Sequence, residues 1–247
     1  MARADDSQRL ANFMGYFNSK LAREVGRLTG WRDKIFARRY QAILVSEEEE
    51  AQVGRLLYLL SHGAKENLVA DLREWPGVHC VDALLTGESL EGTWFDRTEE
   101  YTARQRGGEF GAREYSSAET VALTPLPCWA DLSPEEYKAR IADLLEAIVT
   151  GAANRRSATG IQPLGRAAIL SQHPFSQPTK TKKSPAPLVH AASKRVRTEI
   201  KIAYAWFVRV FREAAEYLRA GDRLARFPKG SFPPGLPFVR AAVGPAG

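Results

Sequence analysis

Acidic residues nearly stop at residue 151. Residues 151–247 carry 17 Lys and Arg against 4 Asp and Glu, a net +13, whereas residues 1–150 carry 18 against 25, a net −7. A segment of such charge repels itself as it compacts, so it either lies against something anionic or stays a solvated basic surface. The start "MARADDSQR" is too acidic and polar for a secretory or transit signal. No apolar run approaches the roughly 20 residues of a membrane helix, so the sequence predicts a soluble, cytoplasmic protein without a membrane partner. In that compartment the fitting polyanion is nucleic acid. Cys80 and Cys128 stand far apart with no CxxC pair and read as reduced structural thiols rather than a disulfide or a zinc site. With 247 residues, 44% of them hydrophobic, the chain can bury a core as one large domain or as one domain plus an appendage.

Hydrophobic spacing places the elements. Leu10, Phe13, Met14, Phe17, Leu21, Val25 and Leu28 recur at three- and four-residue steps and predict a helix from about Gln8 to Leu28, opened by Asp5 with Gln8 and closed by Gly30. "KIFARRYQAILV", residues 34–45, mixes β-branched and aromatic residues with polar ones and predicts a strand. In it Arg38 and Arg39 would point to opposite faces, so at most one faces a given ligand. Ser46 with Glu49 suggests a capping box for a helix over 47–66, with Val53, Leu56, Leu57, Leu60 and Ala64 as its apolar stripe. Residues 86–130 read as loops and short pieces. Ser133-Pro134-Glu135-Glu136 predicts a helix start, its helix ending before Gly151. Residues 152–190 read as a basic Pro/Ser/Lys-rich linker containing "QPTKTKKSPAP". A long helix over 193–220 follows, with Val196, Ile200, Ala203, Phe207, Phe211, Ala214 and Leu218 on one side. Lys194, Arg195, Arg197, Lys201, Arg209 and Arg212 lie on the other. The tail "FPKGSFPPGLPFV" cannot be helical and is expected to pack its aromatics on that helix.

The segment "RLLYLLSH", residues 55–62, holds the candidate chemistry. At about 100° per residue, Tyr58 falls opposite the apolar stripe, with Arg55, His62 and Lys65 within roughly 60° of it. A phenol among cations can stack on a neighbour, or act as a nucleophile toward a phosphodiester whose charge those cations offset. An imidazole one turn on can bind a metal that polarises the same phosphate.

A helix, a strand with "ARRY", a helix with "YLLSHGAKENLV" and then "DLREWPGV" together resemble the second half of the single-tyrosine HUH transposases, especially relatives associated with repeated extragenic palindromes. Tyr58, Lys65, Leu68, Val69, Trp75 and Pro76 fall in step with that family, and the likeness covers about residues 5–80. It implies a partial HUH-type, ferredoxin-like βα sheet domain over 1–80; beyond it, helical spacing and charge alone suggest a loop-rich segment with one helix over 81–151, the linker over 152–190 and a basic helical end over 191–247, so that the whole is expected to be α+β. It implies binding of single-stranded or hairpin DNA, and cleavage and rejoining through a 5′-phosphotyrosine, with Tyr58 as nucleophile. A divalent metal, Mg²⁺ or Mn²⁺, is implied, with His62 as its third ligand after a His-x-His pair.

That pair is absent: the histidines are His62, His79, His173 and His190. In the family it lies immediately before the first helix, where this chain has "MARA". The resemblance therefore predicts an amino-truncated transposase, by a misplaced start codon or a truncated gene, and catalytic inactivity of the chain as given. His79 reads as a packed or surface residue rather than a replacement ligand. A truncated sheet would leave an uncovered apolar face on the first helix, hence possible homodimerisation. Lys180, Lys182 and Lys183, with Arg38, Arg39, Arg55 and Lys65, are the candidate nucleic-acid contacts. The alternative from another class is a non-catalytic DNA-binding or interaction protein derived from a mobile element, with Tyr58 used only for stacking.

Overall fold

The computed structural model describes residues 6–36, 40–107, 114–176 and 187–235. Arg38, Arg39, Lys180, Lys182 and Lys183 lie outside the described residues. The chain forms two compact units, one split between 1–46 and 179–247 and one continuous over 47–178. This division separates the first helix from the tyrosine helix, which the sequence reading joins in one domain ending near residue 80.

The split unit begins with helix α1, Ser7–Thr29. Its cap is Asp6, not Asp5: the Asp6 carboxylate accepts from the Arg9 amide at 2.7 Å. Gly30, at φ 72, ends the helix by donating its amide to the Gly26 carbonyl at 2.9 Å. No residue of α1 is buried, and Phe13 and Leu28 are 54% and 72% exposed. Of the expected strand over 34–45, the described residues form only β1, Leu44–Val45, paired in parallel with β4, Val189–His190; residues 37–39 lie outside the described residues. β-propensity alone does not make a strand; only Leu44 and Val45 find a ladder partner among the described residues.

Helix α7, Lys194–Arg219, follows β4. Ser193 caps it by accepting from the Val196 amide, and Ala214, Ala215 and Leu218 are its buried residues. Ala203, read as part of the apolar stripe, is exposed. The tail returns to the helix as expected, with Phe227 edge-on to Phe211 at 5.3 Å between ring centroids.

The continuous unit holds the larger core. Helix α2, Glu49–Lys65, packs with helix α3, Val81–Thr86, and helix α5, Pro134–Thr159, around Leu56, Ala64, Val81, Leu84, Ile141 and Leu145. The expected Ser46–Glu49 capping box is not formed: the cap is Glu48, without a side-chain bond, while the Ser46 amide donates to the His190 carbonyl in the strand pair. Instead the Trp129 indole donates to the Glu49 carboxylate at 2.8 Å, and the Cys128 amide to Gln52 Oε1 at 3.3 Å. These bonds fix the first turn of α2 against a 3-10 turn at Pro127–Trp129.

Two further expectations change. The Ser133–Glu136 capping box forms, but α5 runs through Gly151 to Thr159. An interior glycine costs only about 1 kcal/mol, and burial of the next residue, Ala152, carries the helix across. Part of the expected linker is therefore helical, and it continues into a short helix α6, Arg166–Leu170. Within the region read as loops, strands β2, Leu90–Phe95, and β3, Ser116–Val121, form an antiparallel pair from Leu90↔Val121 to Phe95↔Ser116, with helix α4, Arg97–Gln105, between them. Both strands are largely exposed, so no apolar alternation marks them. The described residues thus make a mixed α and β structure in which the only sheets are two two-stranded pairs. Among them no helix is long and apolar enough to cross a membrane.

Candidate nucleic-acid interface

Helix α2 is turned by its core residues. Val53, Leu56, Leu60 and Ala64 pack into the unit, and at 100° per residue their mean direction lies about 155° from Tyr58. Tyr58 is accordingly on the outer face and 40% exposed, while Leu57, read as part of the stripe, is 37% exposed at its flank.

Residues one turn before and one and two turns after supply the ring's neighbours. The Arg55 guanidinium carbon lies 4.1 Å from the Tyr58 ring centroid, and Lys65 Nζ lies 5.2 Å from it. The His62 ring is 6.2 Å away, tilted by 51°. Each cation over an exposed ring is worth about 0.5–1 kcal/mol, enough to bias the ring's orientation rather than lock it. His62 and Lys65 also occupy the last turn, where positive charge suits the helix dipole. Glu66 caps the helix at the edge of this face. The sequence reading's group of Arg55, Tyr58, His62 and Lys65 is therefore brought together on one exposed surface.

The turn after α2 leaves little room at Gly63. A Cβ on Gly63 would lie 3.2 Å from Val69 Cγ2 and 3.5 Å from Trp75 Cε3, so the helix approaches the Trp75 indole closely there. The same indole covers Gly77, where a Cβ would stand 2.7 Å from Nε1. Asn67 takes φ 55 just beyond the helix, a conformation asparagine tolerates, and its carbonyl accepts from Leu164 at 2.8 Å.

The implied metal does not fit the residues at hand. Mg²⁺ takes oxygen ligands in tight octahedral geometry, whereas His62 is one imidazole, and no group of three His, Cys, Asp or Glu that could hold a metal occurs among the described residues. His79 belongs to no such group either, and its Nδ1 is buried without a hydrogen-bond partner among the described residues. The two cysteines are free, and burial pushes both thiols up, with Glu49 adding to the rise at Cys128, so neither is an activated nucleophile. The chain matches no protein-family model, no curated protein and no solved structure.

Proposed function

We propose that this chain is a nucleic-acid-binding protein of transposase descent, in which the Tyr58 face holds a single strand without completing a transesterification. The observation that carries this reading is the exposed Tyr58 ring set between Arg55 at 4.1 Å and Lys65 at 5.2 Å on one helix face. Stacked bases and phosphates need those two things together: an aromatic surface, worth about 1–3 kcal/mol per base, and cations beside it. Descent from the HUH family is supported by the in-step residues Tyr58, Lys65, Leu68, Val69, Trp75 and Pro76. On this reading β1 corresponds to a strand of the family's sheet.

Turnover would require the phenol oxygen to bond to phosphorus as the phosphorus–3′-oxygen bond breaks, with the phenolic proton ending on the departing 3′-oxygen. His62 can accept a proton on this face. The developing phosphate charge, however, has only the two side-chain cations, since the donor set for a metal is absent among the described residues. A strand is therefore held and not cut.

The test is a labelled single-stranded hairpin offered to the full chain with Mn²⁺. Binding is expected to weaken about 5- to 150-fold in Tyr58→Ala, corresponding to about 1–3 kcal/mol of stacking, and to survive in Tyr58→Phe. Binding indifferent to Tyr58→Ala would remove the stacking role. A covalent tyrosine–DNA adduct that Tyr58→Phe abolishes would show instead that the chain is an active transesterase.

A further inference from the structure

Helix α7 presents a second charged surface, in the split unit. Residues seven and eleven apart on a helix return to nearly the same angle, because those steps are close to two and three whole turns. Lys194, Lys201, Arg212 and Arg219 are separated by steps of seven, eleven and seven. They fall within about 20° of one line, at axial steps of roughly 10, 16 and 10 Å. All four are exposed.

Their neighbours sort the cations. Arg195 pairs with Glu199 at 3.8 Å and Arg209 with Glu213 at 3.9 Å, while Arg197 donates to the Ala191 carbonyl at 2.8 Å. The four residues of the line have no ion pair among the described residues. The carboxylate closest in angle is Glu216, about 40–60° to one side, four residues after Arg212 and three before Arg219. Ala205 and Val208 occupy the gap between Lys201 and Arg212 and, with Arg212, Glu213 and Glu216, line a surface depression of about 410 Å³. The unit that carries the line has 23 Lys and Arg against 8 Asp and Glu, a net +15.

We propose that this line is a phosphate-tracking surface that follows a nucleic-acid backbone without reading its sequence. It extends the reading of the Tyr58 face but stands without it. Four charges without an ion pair among the described residues, on a straight line of roughly 37 Å, complement an extended polyanion, and each neutralised phosphate releases a counterion. An anionic lipid surface fits less well. The helix's buried side, Ala214, Ala215 and Leu218, is spent on its own unit. The exposed Ile202 and Trp206 lie on a different side from the line, among the Arg195–Glu199 and Arg209–Glu213 pairs, so no apolar anchor stands beside the four cations.

The experiment measures binding of the full chain to a random-sequence duplex and to an unstructured single strand, by anisotropy from about 50 to 200 mM salt. Replacing the line (Lys194→Gln, Lys201→Gln, Arg212→Gln and Arg219→Gln) is expected to lower the salt slope on duplex by about 3–4, and Lys201→Gln alone by about 1. The paired control, Arg195→Gln with Arg209→Gln, is expected to change it by less than about 1. Loss of slope in proportion to charge removed anywhere on the helix would overturn the line, as would an unchanged slope in the quadruple variant. Retained duplex binding with lost binding to phosphatidylserine vesicles would also overturn it, assigning the surface to lipid. Tyr58→Ala is expected to weaken single-strand binding only, so the two surfaces fail separately.

Discussion

The two units solve the problem of folding in opposite ways. The continuous unit, residues 47–178, carries 12 Lys and Arg against 21 Asp and Glu, a net −9, and buries Leu56, Leu72, Leu84, Trp129, Ile141 and Ile148 in one cluster. The split unit has a net +15, and among its described residues the only buried hydrophobic ones are Val189, Leu218 and the alanines 191, 214 and 215. It leaves Phe13, Phe17, Leu21, Leu28, Ile202 and Trp206 exposed. Apolar burial at about 25 cal/mol per Å² stabilises the first. In the second, self-repulsion opposes a small buried surface, so an anionic partner that neutralises charge would raise its stability by mass action. Fold and ligand are thus separable in the continuous unit and coupled in the split one.

The sharpest way to break this contrast is to remove one large side chain from each unit. Ile141→Ala empties a site with no exposure at all and is expected to cost about 2–5 kcal/mol. Phe17→Ala in α1, where the ring is stacked on Phe13 at 6.0 Å but open to solvent, is expected to cost about 1 kcal/mol or less. Hydrogen exchange read peptide by peptide in the full chain separates the two. Equal loss of protection in α5 and α1 from either change would show that the units share one cooperative transition.

A second substitution sharpens the account of the tyrosine helix. In Gly77→Ala the new methyl meets the rigid Trp75 indole, and an overpacked site of this kind costs about 1–3 kcal/mol. Because the indole also lies against Gly63 of α2, the loss should appear as faster exchange at the end of that helix. Unchanged exchange there would mean the indole yields to the methyl without disturbing α2.

These contrasts also show what the sequence could reveal. The placement of Arg55, Tyr58, His62 and Lys65 on one face follows from helical spacing alone, because Val53, Leu56, Leu60 and Ala64 mark the buried side. Helices α1, α5 and α7 were legible for the same reason, although α5 runs past Gly151 because its neighbour is buried. The β2–β3 pair was not legible, since strands exposed on both faces carry no alternation to read. Nor was the shortness of β1, since the other described residues of the segment 34–45 have the propensity but no ladder partner among the described residues. Which cations on α7 are already paired depends on side-chain approach at four-residue spacing. Spacing alone does not settle it, since Arg212-x-x-x-Glu216 has the same step as Arg195-x-x-x-Glu199 and Arg209-x-x-x-Glu213.

The smallest effect contrasts the caps of the two long helices with pH. At α5, the Ser133 amide donates to the Glu136 carboxylate at 2.8 Å, and this bond, aided by the Ser133 hydroxyl and Arg140, holds the carboxyl below its ordinary range. A carboxyl whose pKa is lowered by folding contributes fully above its unfolded-state pKa, and the contribution is lost as pH falls through the folded value. At α7, Ser193 caps the helix with no acidic residue in the first turn, so no carboxylate of that turn titrates there. Acidification is therefore expected to fray the start of α5 before that of α7, measured as exchange protection corrected for the intrinsic pH dependence. Glu136→Gln should flatten the acid-side loss at α5 while lowering protection at neutral pH, because the charged acceptor near the helix's positive end is gone. Parallel acid fraying of both helix starts in the parent chain would mean the capping box does not set the acid response of α5.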